Sequence, residues 1–195
     1  MDTIVSDTPT LRLASRIKAE REARGWTPGE LAQRSGVSRA MIAKIETCQS
    51  SPTAMLLGKL SGAFGITMST LLARAEAGAH GRLVRHRDQP VWRDPDSGYV
   101  RRQVFPVSGS TLPIDVVDVM LPPGAVAAFP ASSYAFIRQL VWVLGGELVF
   151  VEGEEEHVLR EGDGLELGPP RDCRFENRSA DQCRYAVLVL RDRSR

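Results

Sequence analysis

The chain has 195 residues, 43% of them hydrophobic and 25% charged, with a formal net charge of +1. That length is generous for one domain and short for two large ones, and the near-neutral balance excludes a polycation that coats nucleic acid without selectivity. No run approaches the length of a membrane span, and the N-terminus lacks the basic start and apolar core of a signal peptide. The cysteines Cys48, Cys173 and Cys183 form no CxxC pair, so reduced thiols and a cytoplasmic, membrane-free protein are expected.

Charge divides along the chain. Residues 1–80 hold 10 Lys/Arg against 7 Asp/Glu, and residues 81–195 hold 15 against 17. The expected organisation is a tail at 1–9, a helical domain at 10–75, a linker at 76–84 built on AEAGAH, and a β-rich domain at 85–195. Five short helices are predicted in the first domain. Thr10 is placed to cap the first, whose Leu13 and Ile17 share a face, and Gly25 ends it. Thr27-Pro28-Gly29-Glu30 predicts a capping box with proline at the first helical position, and Leu31 and Ala32 face inward. Gly36 makes the next turn, Ser38 caps the third helix, and Val37, Ile42 and Ile45 pin it to its neighbours. Ser51-Pro52-Thr53 opens a fourth helix with Leu56, Leu57, Leu60, Ala63 and Phe64 on one stripe; Thr67 opens a fifth, anchored by Leu71 and Leu72.

Two short helices around a glycine turn, the second with a polar start, have the layout of a helix-turn-helix whose second helix enters the major groove. Once the apolar positions are assigned to the core, Ser38, Arg39, Ala40, Met41 and Lys44 remain exposed at the start of that helix. Arg39 suits a bidentate contact to guanine, Ala40 a thymine methyl, and Lys44 a base or a phosphate. Thr27 and the loop Gln49-Ser50-Ser51 suit phosphates, through hydroxyls and backbone N–H groups. The stretch GWTPGELAQRSGVSRAMIAKIE at 25–46, followed by SSPTAMLLGKLSGAFGI, resembles the helix-turn-helix domain of the XRE family, which includes the lambda-type repressors and Cro. The resemblance spans 11–74 and implies that Arg39, Ala40 and Lys44 face bases. Pro28 departs from it: the family often carries a glutamine there that supports the contacts.

After residue 81 the pattern changes to short strands between Pro and Gly: RLVRH, GYVRRQVFPV, PIDVVDVML, QLVWVLGGELVFV, EEHVL, DGLEL, CRFEN and YAVLVLR. A β-sandwich or barrel is predicted, with hairpin turns at Gly145-Gly146 and at the acidic run 153–156. LPPGA at 121–125 and Arg160-Glu161-Gly162-Asp163 resemble the openings of the two cupin motifs, a likeness that covers roughly 85–191. The cupin metal ligands do not carry over. Gln139 stands at the glutamate position, and Ser133 and Ala135, or Ser132 and Tyr134, stand near the histidine pair. Cys173 takes the position of the last histidine. His80, His86 and His157 fall in the linker, an early strand and a solvent-facing hairpin. No metal, no cofactor and no enzymatic activity are therefore expected. Alternation puts Val141 and Val143 on the face of Gln139, and Phe175 on the face of Cys173. With Tyr134 these residues are expected to line a metal-free effector pocket. Cys173 is expected to be a buried, inert thiol, although Arg171 and Arg174 flank it.

The expected fold is α + β in two domains: an N-terminal five-helix lambda-repressor-like bundle and a C-terminal cupin-like antiparallel β-barrel, a jelly roll. By resemblance this is a bacterial transcription regulator, a repressor that binds a double-stranded DNA operator as a homodimer and answers to a small-molecule effector. The run AMIAKIE with SSPT is nearest to regulators of sulfur or amino-acid utilisation. Two alternatives stand beside it: a cupin isomerase or oxygenase tethered to DNA, and a barrel that only dimerises.

Overall fold

The computed structural model describes residues 9–76, 83–105, 112–135 and 137–191. The helical domain comprises α1 (Pro9–Glu22), α2 (Pro28–Ser35), α3 (Arg39–Glu46), α4 (Ala54–Phe64) and α5 (Met68–Ala75). Local chemistry accounts for four of the five starts. Thr27, Ser38, Thr53 and Thr67 are extended N-caps, each accepting a hydrogen bond from the backbone N–H three residues on. The first helix differs from expectation: Pro9 before Thr10 is already helical, so Thr10 lies inside the helix and is not its cap. Proline's fixed φ suits a first helical turn, where its missing N–H costs nothing. Gly36 closes α2 in the left-handed conformation with φ 67°, as the turn requires. Leu13, Ile17, Leu31, Ile42, Ile45, Leu57, Leu60 and Leu71 form the core of the bundle. No single helix among the described residues is long and apolar enough to cross a membrane. Most of the expected tail, and residues 77–82 of the expected linker, lie outside the described residues.

Ten strands follow among the described residues: β1 (Val91–Arg93), β2 (Val100–Phe105), β3 (Ile114–Leu121), β4 (Val126–Phe129), β5 (Ile137–Gly145), β6 (Glu147–Glu152), β7 (Glu155–Arg160), β8 (Gly164–Glu166), β9 (Cys173–Glu176) and β10 (Cys183–Arg191). They form two antiparallel sheets, β1-β2-β3-β10-β5-β8 and β4-β9-β6-β7, packed face to face as the cupin-like jelly roll. Alternation sends Val117, Val119, Val141, Val143, Tyr185 and Val187 inward from the larger sheet, against Ala127, Phe129, Leu148, Phe150, Cys173 and Phe175 of the smaller one. Aromatic rings fill the centre. Phe175 stacks on Tyr185 with centroids 5.5 Å apart and lies 4.8 Å from Phe150.

Three expectations change. The RLVRH segment forms no strand where it is described: Leu83–Arg85 are irregular, and His86–Asp88 form a single 3-10 turn. The first strand comes later, at VWR, and VAAF is a further strand, β4, just beyond the LPPGA turn. Gly145-Gly146 is a corner between sheets and not a hairpin, because β5 and β6 belong to different sheets. A Cβ on Gly146 would lie 2.8 Å from the Gln182 carbonyl oxygen, and its φ is 78°. The acidic run does form a hairpin, with Glu152 opposite Glu155.

The two domains are fastened together. Helix α4 lies on β4 and on the 3-10 turn Ala131–Ser133, and the glycines Gly58 and Gly62 permit the approach. A Cβ on Gly62 would sit 2.8 Å from the Ser132 carbonyl oxygen. Asp94 of the β-domain accepts from the first backbone N–H of α4, that of Ala54, at 2.8 Å, placing a carboxylate at a helix N-terminus. The Thr67 hydroxyl donates to Asp115 at 3.3 Å. Met68 and Trp92 pack against both cores, so α4 and α5 close one end of the barrel.

Candidate functional site

On α3, Ile42 and Ile45 are buried, Met41 is half-buried against the core, and Arg39, Ala40 and Lys44 face solvent. The side chains of Arg39 and Lys44 make no hydrogen bond or ion pair among the described residues, so both are available to a ligand. Ser38 accepts from the Met41 N–H at 3.2 Å, which leaves its hydroxyl proton to donate. Cys48, at φ 57°, turns the chain after α3 and projects the loop Gln49-Ser50-Ser51, with Gln49 and Ser51 exposed and Ser50 half-buried. These residues form one polar surface along the start of α3 and the loop behind it.

Thr27 is exposed but bonded within its own helix. Its backbone N–H and its hydroxyl both donate to Glu30 Oε2, at 2.7 and 2.9 Å. Those bonds, the backbone one foremost, hold the Glu30 carboxyl below the ordinary carboxylate range. Both donors of Thr27 are thus engaged within α2, beside a carboxylate. One contribution escaped sequence reasoning. Arg21 Nε and Nη2 donate to the Glu46 carboxylate at 2.7 and 2.8 Å, and Nη1 donates to the Trp26 carbonyl at 2.8 Å. This nearly buried fork ties the end of α1 to the last turn of α3 and fixes the tilt of the exposed helix. Twenty-five residues separate its partners, so no local period signals it.

In the barrel, the six expected pocket residues do cluster, but among the described residues they enclose no ligand-sized cavity. Val141, Val143, Cys173 and Phe175 are closed into the aromatic core. The space left between that core and α4–α5, bordered by Tyr134 and Gln139, is about 50 Å³, room for a few waters. On the outer side Tyr134 and Gln139 border a groove of about 350 Å³ with Arg138, Glu152 and Pro169. The Cys173 thiol donates to the Tyr134 hydroxyl at 3.0 Å. Burial pushes that thiol up to about 12 against the lowering effect of the Tyr134 bond, and burial likewise raises the Tyr134 phenol well above its usual value. Arg171 pairs with Glu155 and Arg174 with Glu176, so neither activates the sulfur.

A neutral phenol, a protonated thiol and a carboxamide do not fit the divalent ion that the cupin fold implies. His86 lies in the exposed 3-10 turn, and His157 is half-buried on β7 opposite Phe150. His80 lies outside the described residues. Among the described residues no three His, Cys, Asp or Glu side chains converge.

Residues 17–71 match the helix-turn-helix family HTH_3. The chain is 25% identical over 183 residues to the HTH-type transcriptional regulator SutR of Escherichia coli K12, covering 93% of this chain and 96% of that protein. It is 29% identical over 93 residues to the HTH-type transcriptional regulator SinR of Bacillus subtilis 168, covering 47% of this chain and 84% of SinR. In fold it is similar to an HTH_3 family transcriptional regulator from Vibrio cholerae, with a TM-score of 0.77 at 20% identity over 94% of this chain and 97% of the other.

Proposed function

We propose that this chain, an XRE-type helix-turn-helix domain joined to a cupin-like barrel, is a sequence-specific DNA-binding transcriptional regulator that acts as a repressor. The observation that carries the reading is the start of α3, where Arg39, Ala40 and Lys44 stand exposed and uncommitted on a helix fixed from behind by Arg21 and Glu46. The proposed contacts are Arg39 and Ala40 to base edges and Lys44 to a base or phosphate. Ser38, Gln49, Ser50 and Ser51 would meet the backbone. Selection from a random duplex library with the full chain tests it. The expected product is a palindrome with half-sites about 34–36 Å apart; enrichment of no sequence would refute the reading.

A palindrome needs two readers, and the outer face of the larger sheet supports a homodimer. Ile114, Leu140, Trp142 and Leu190 are each 39–48% exposed there. The strand register joins them through Leu188, which lies opposite Leu140 and Val116. The pairs Arg138–Glu166 and Arg184–Asp118 give this apolar patch a polar rim, the anatomy of a protein interface. A second copy of this chain is the proposed occupant. Trp142→Glu is expected to yield monomers in sedimentation equilibrium and to weaken operator binding.

Control by a small-molecule effector without a metal completes the proposal. Support comes from the joining of a DNA reader to a β-domain whose centre is filled but whose edges border open clefts. An effector acts only through unequal affinity for the DNA-competent and incompetent states. Titrating metabolites into the operator complex tests this; ligands that bind the protein and never change operator affinity would leave a regulator without an effector.

A further inference from the structure

We propose that the cleft between the edge of the larger sheet and helices α1 and α5 is a ligand site for a small carboxylic acid with an apolar body. Its carboxylate would meet Arg101, and an N–H or O–H beside the carboxylate would meet Gln103. The cleft holds about 350 Å³, within the range of small-molecule sites. Leu13, Pro52, Leu72, Val91 and Trp92 provide apolar walls, and Arg101 and Gln103 of β2 line the same cleft.

These two polar residues are what make the cleft a site. Arg101 is 8% exposed and Gln103 is 3% exposed. Arg101 Nη2 donates to the Ser69 hydroxyl, yet the guanidinium makes no ion pair among the described residues, and its buried Nε–H has no acceptor. Gln103 Nε2 donates to the Phe105 carbonyl at 2.8 Å, while its buried Oε1 meets no donor among the described residues. A buried cation that makes no ion pair, and a buried amide oxygen that meets no donor, among the described residues are both costly. They alternate on one strand face, about 6–7 Å apart along the strand. The vacancies are complementary: one wants an anion, the other a donor. An inorganic anion answers only the first, and a neutral hydrophobe answers neither.

The cleft also touches the DNA-reading apparatus. Thr10 of α1 lines it, and so do Ser51 and Pro52, which join the proposed phosphate-facing loop to α4. A ligand there braces that loop against β1. The coupling to DNA rests on the effector-controlled reading; occupancy of the cleft does not.

The test uses the full chain with two probe pairs, mandelate beside mandelamide and 2-hydroxy-4-methylpentanoate beside its amide. Thermal shift and tryptophan fluorescence are the readouts, and Trp92→Phe assigns the optical signal. At least one acid is expected to stabilise the protein saturably while its amide does not. Arg101→Met should weaken that binding at least tenfold, Gln103→Leu should weaken it less, and Arg171→Met, a surface change on the β-domain, should leave it intact. If Arg101→Met does not fold, Gln103→Leu carries the comparison. Equal responses to acid and amide, no response to either acid, or an undiminished response in the folded cleft variants would overturn the site. Acid binding that leaves operator affinity unchanged keeps the site and removes its regulatory role. Failure to select any operator removes the DNA-reading proposal and leaves the site standing.

Discussion

Arg39 and Thr27 illustrate how similar sequence signals end in different surroundings. Both are exposed and polar at the start of a helix, but Arg39 has no partner among the described residues and Thr27 has given both its donors to Glu30. Arg39→Ala is therefore expected to cost about 1–3 kcal/mol at one base position and to relax specificity there. Binding to operators substituted base by base checks this; a uniform loss across sequences would make Arg39 a phosphate contact. Lys44→Ala, if Lys44 meets a phosphate, should reduce the salt slope of binding by about one. Thr27→Ala should lower thermal stability by about 1 kcal/mol through the lost cap and leave the salt slope unchanged. A slope that falls with Thr27→Ala would place Thr27 against a phosphate. The capping roles were legible in the sequence because caps are local; the exhaustion of Thr27's donors becomes visible only once Glu30 has folded back onto it.

At the scale of elements, α3 is held less by its own eight residues than by distant charges. Glu46→Ala would leave the Arg21 guanidinium nearly buried beside no carboxylate, and removing one partner of such a pair costs about 3–5 kcal/mol. Urea unfolding of the variant measures it, and a loss under 1 kcal/mol would mean that water takes the place of Glu46. A second cluster ties α1 to α5. Burial alone would raise the Glu20 carboxyl, but hydrogen bonds from Arg24 and Arg74 outweigh burial and hold it below its ordinary value. A depressed folded value means that the contribution is complete above the unfolded value, near about 4.3, and is lost as pH falls through the folded one. Glu20→Gln should thus be less stable at pH 7, with a flatter stability profile below about pH 4 than the parent. Parallel profiles would remove Glu20 as an acid-sensitive tie. The helices were legible because caps and apolar stripes repeat at fixed offsets. The three-residue β1 and the alanine-containing β4 were not, since both are too short to display alternation and form only because a neighbouring strand pairs with them.

At the scale of the whole molecule, the sequence separates two domains by composition but says nothing of how they meet. Gly58, Gly62, Asp94 and Thr67 read as ordinary loop, cap and helix residues until the other domain is in place, and the filling of the barrel's centre stays hidden for the same reason. Alternation identifies which side chains point inward but not that Phe150, Phe175 and Tyr185 fill the space, nor that α4 and α5 close its end. A joint built from a helix seated on a turn, with a carboxylate at that helix's N-terminus, should bind the two cores into one cooperative unit. Calorimetry of the parent chain is expected to give a single transition with calorimetric and van't Hoff enthalpies in agreement. Gly62→Ala tests the joint directly. In an isolated helix the change would stabilise by up to about 1 kcal/mol. Here the added methyl would lie 2.8 Å from the Ser132 carbonyl oxygen, a backbone atom with no rotamer to change, so α4 must lift off the barrel. Overpacking of this kind costs about 1–3 kcal/mol, and the expected calorimetric trace is a lower, broadened or divided transition. A gain in melting temperature would show that helix propensity outweighs the contact, and that the two domains are joined more loosely than the approach of α4 to β4 implies.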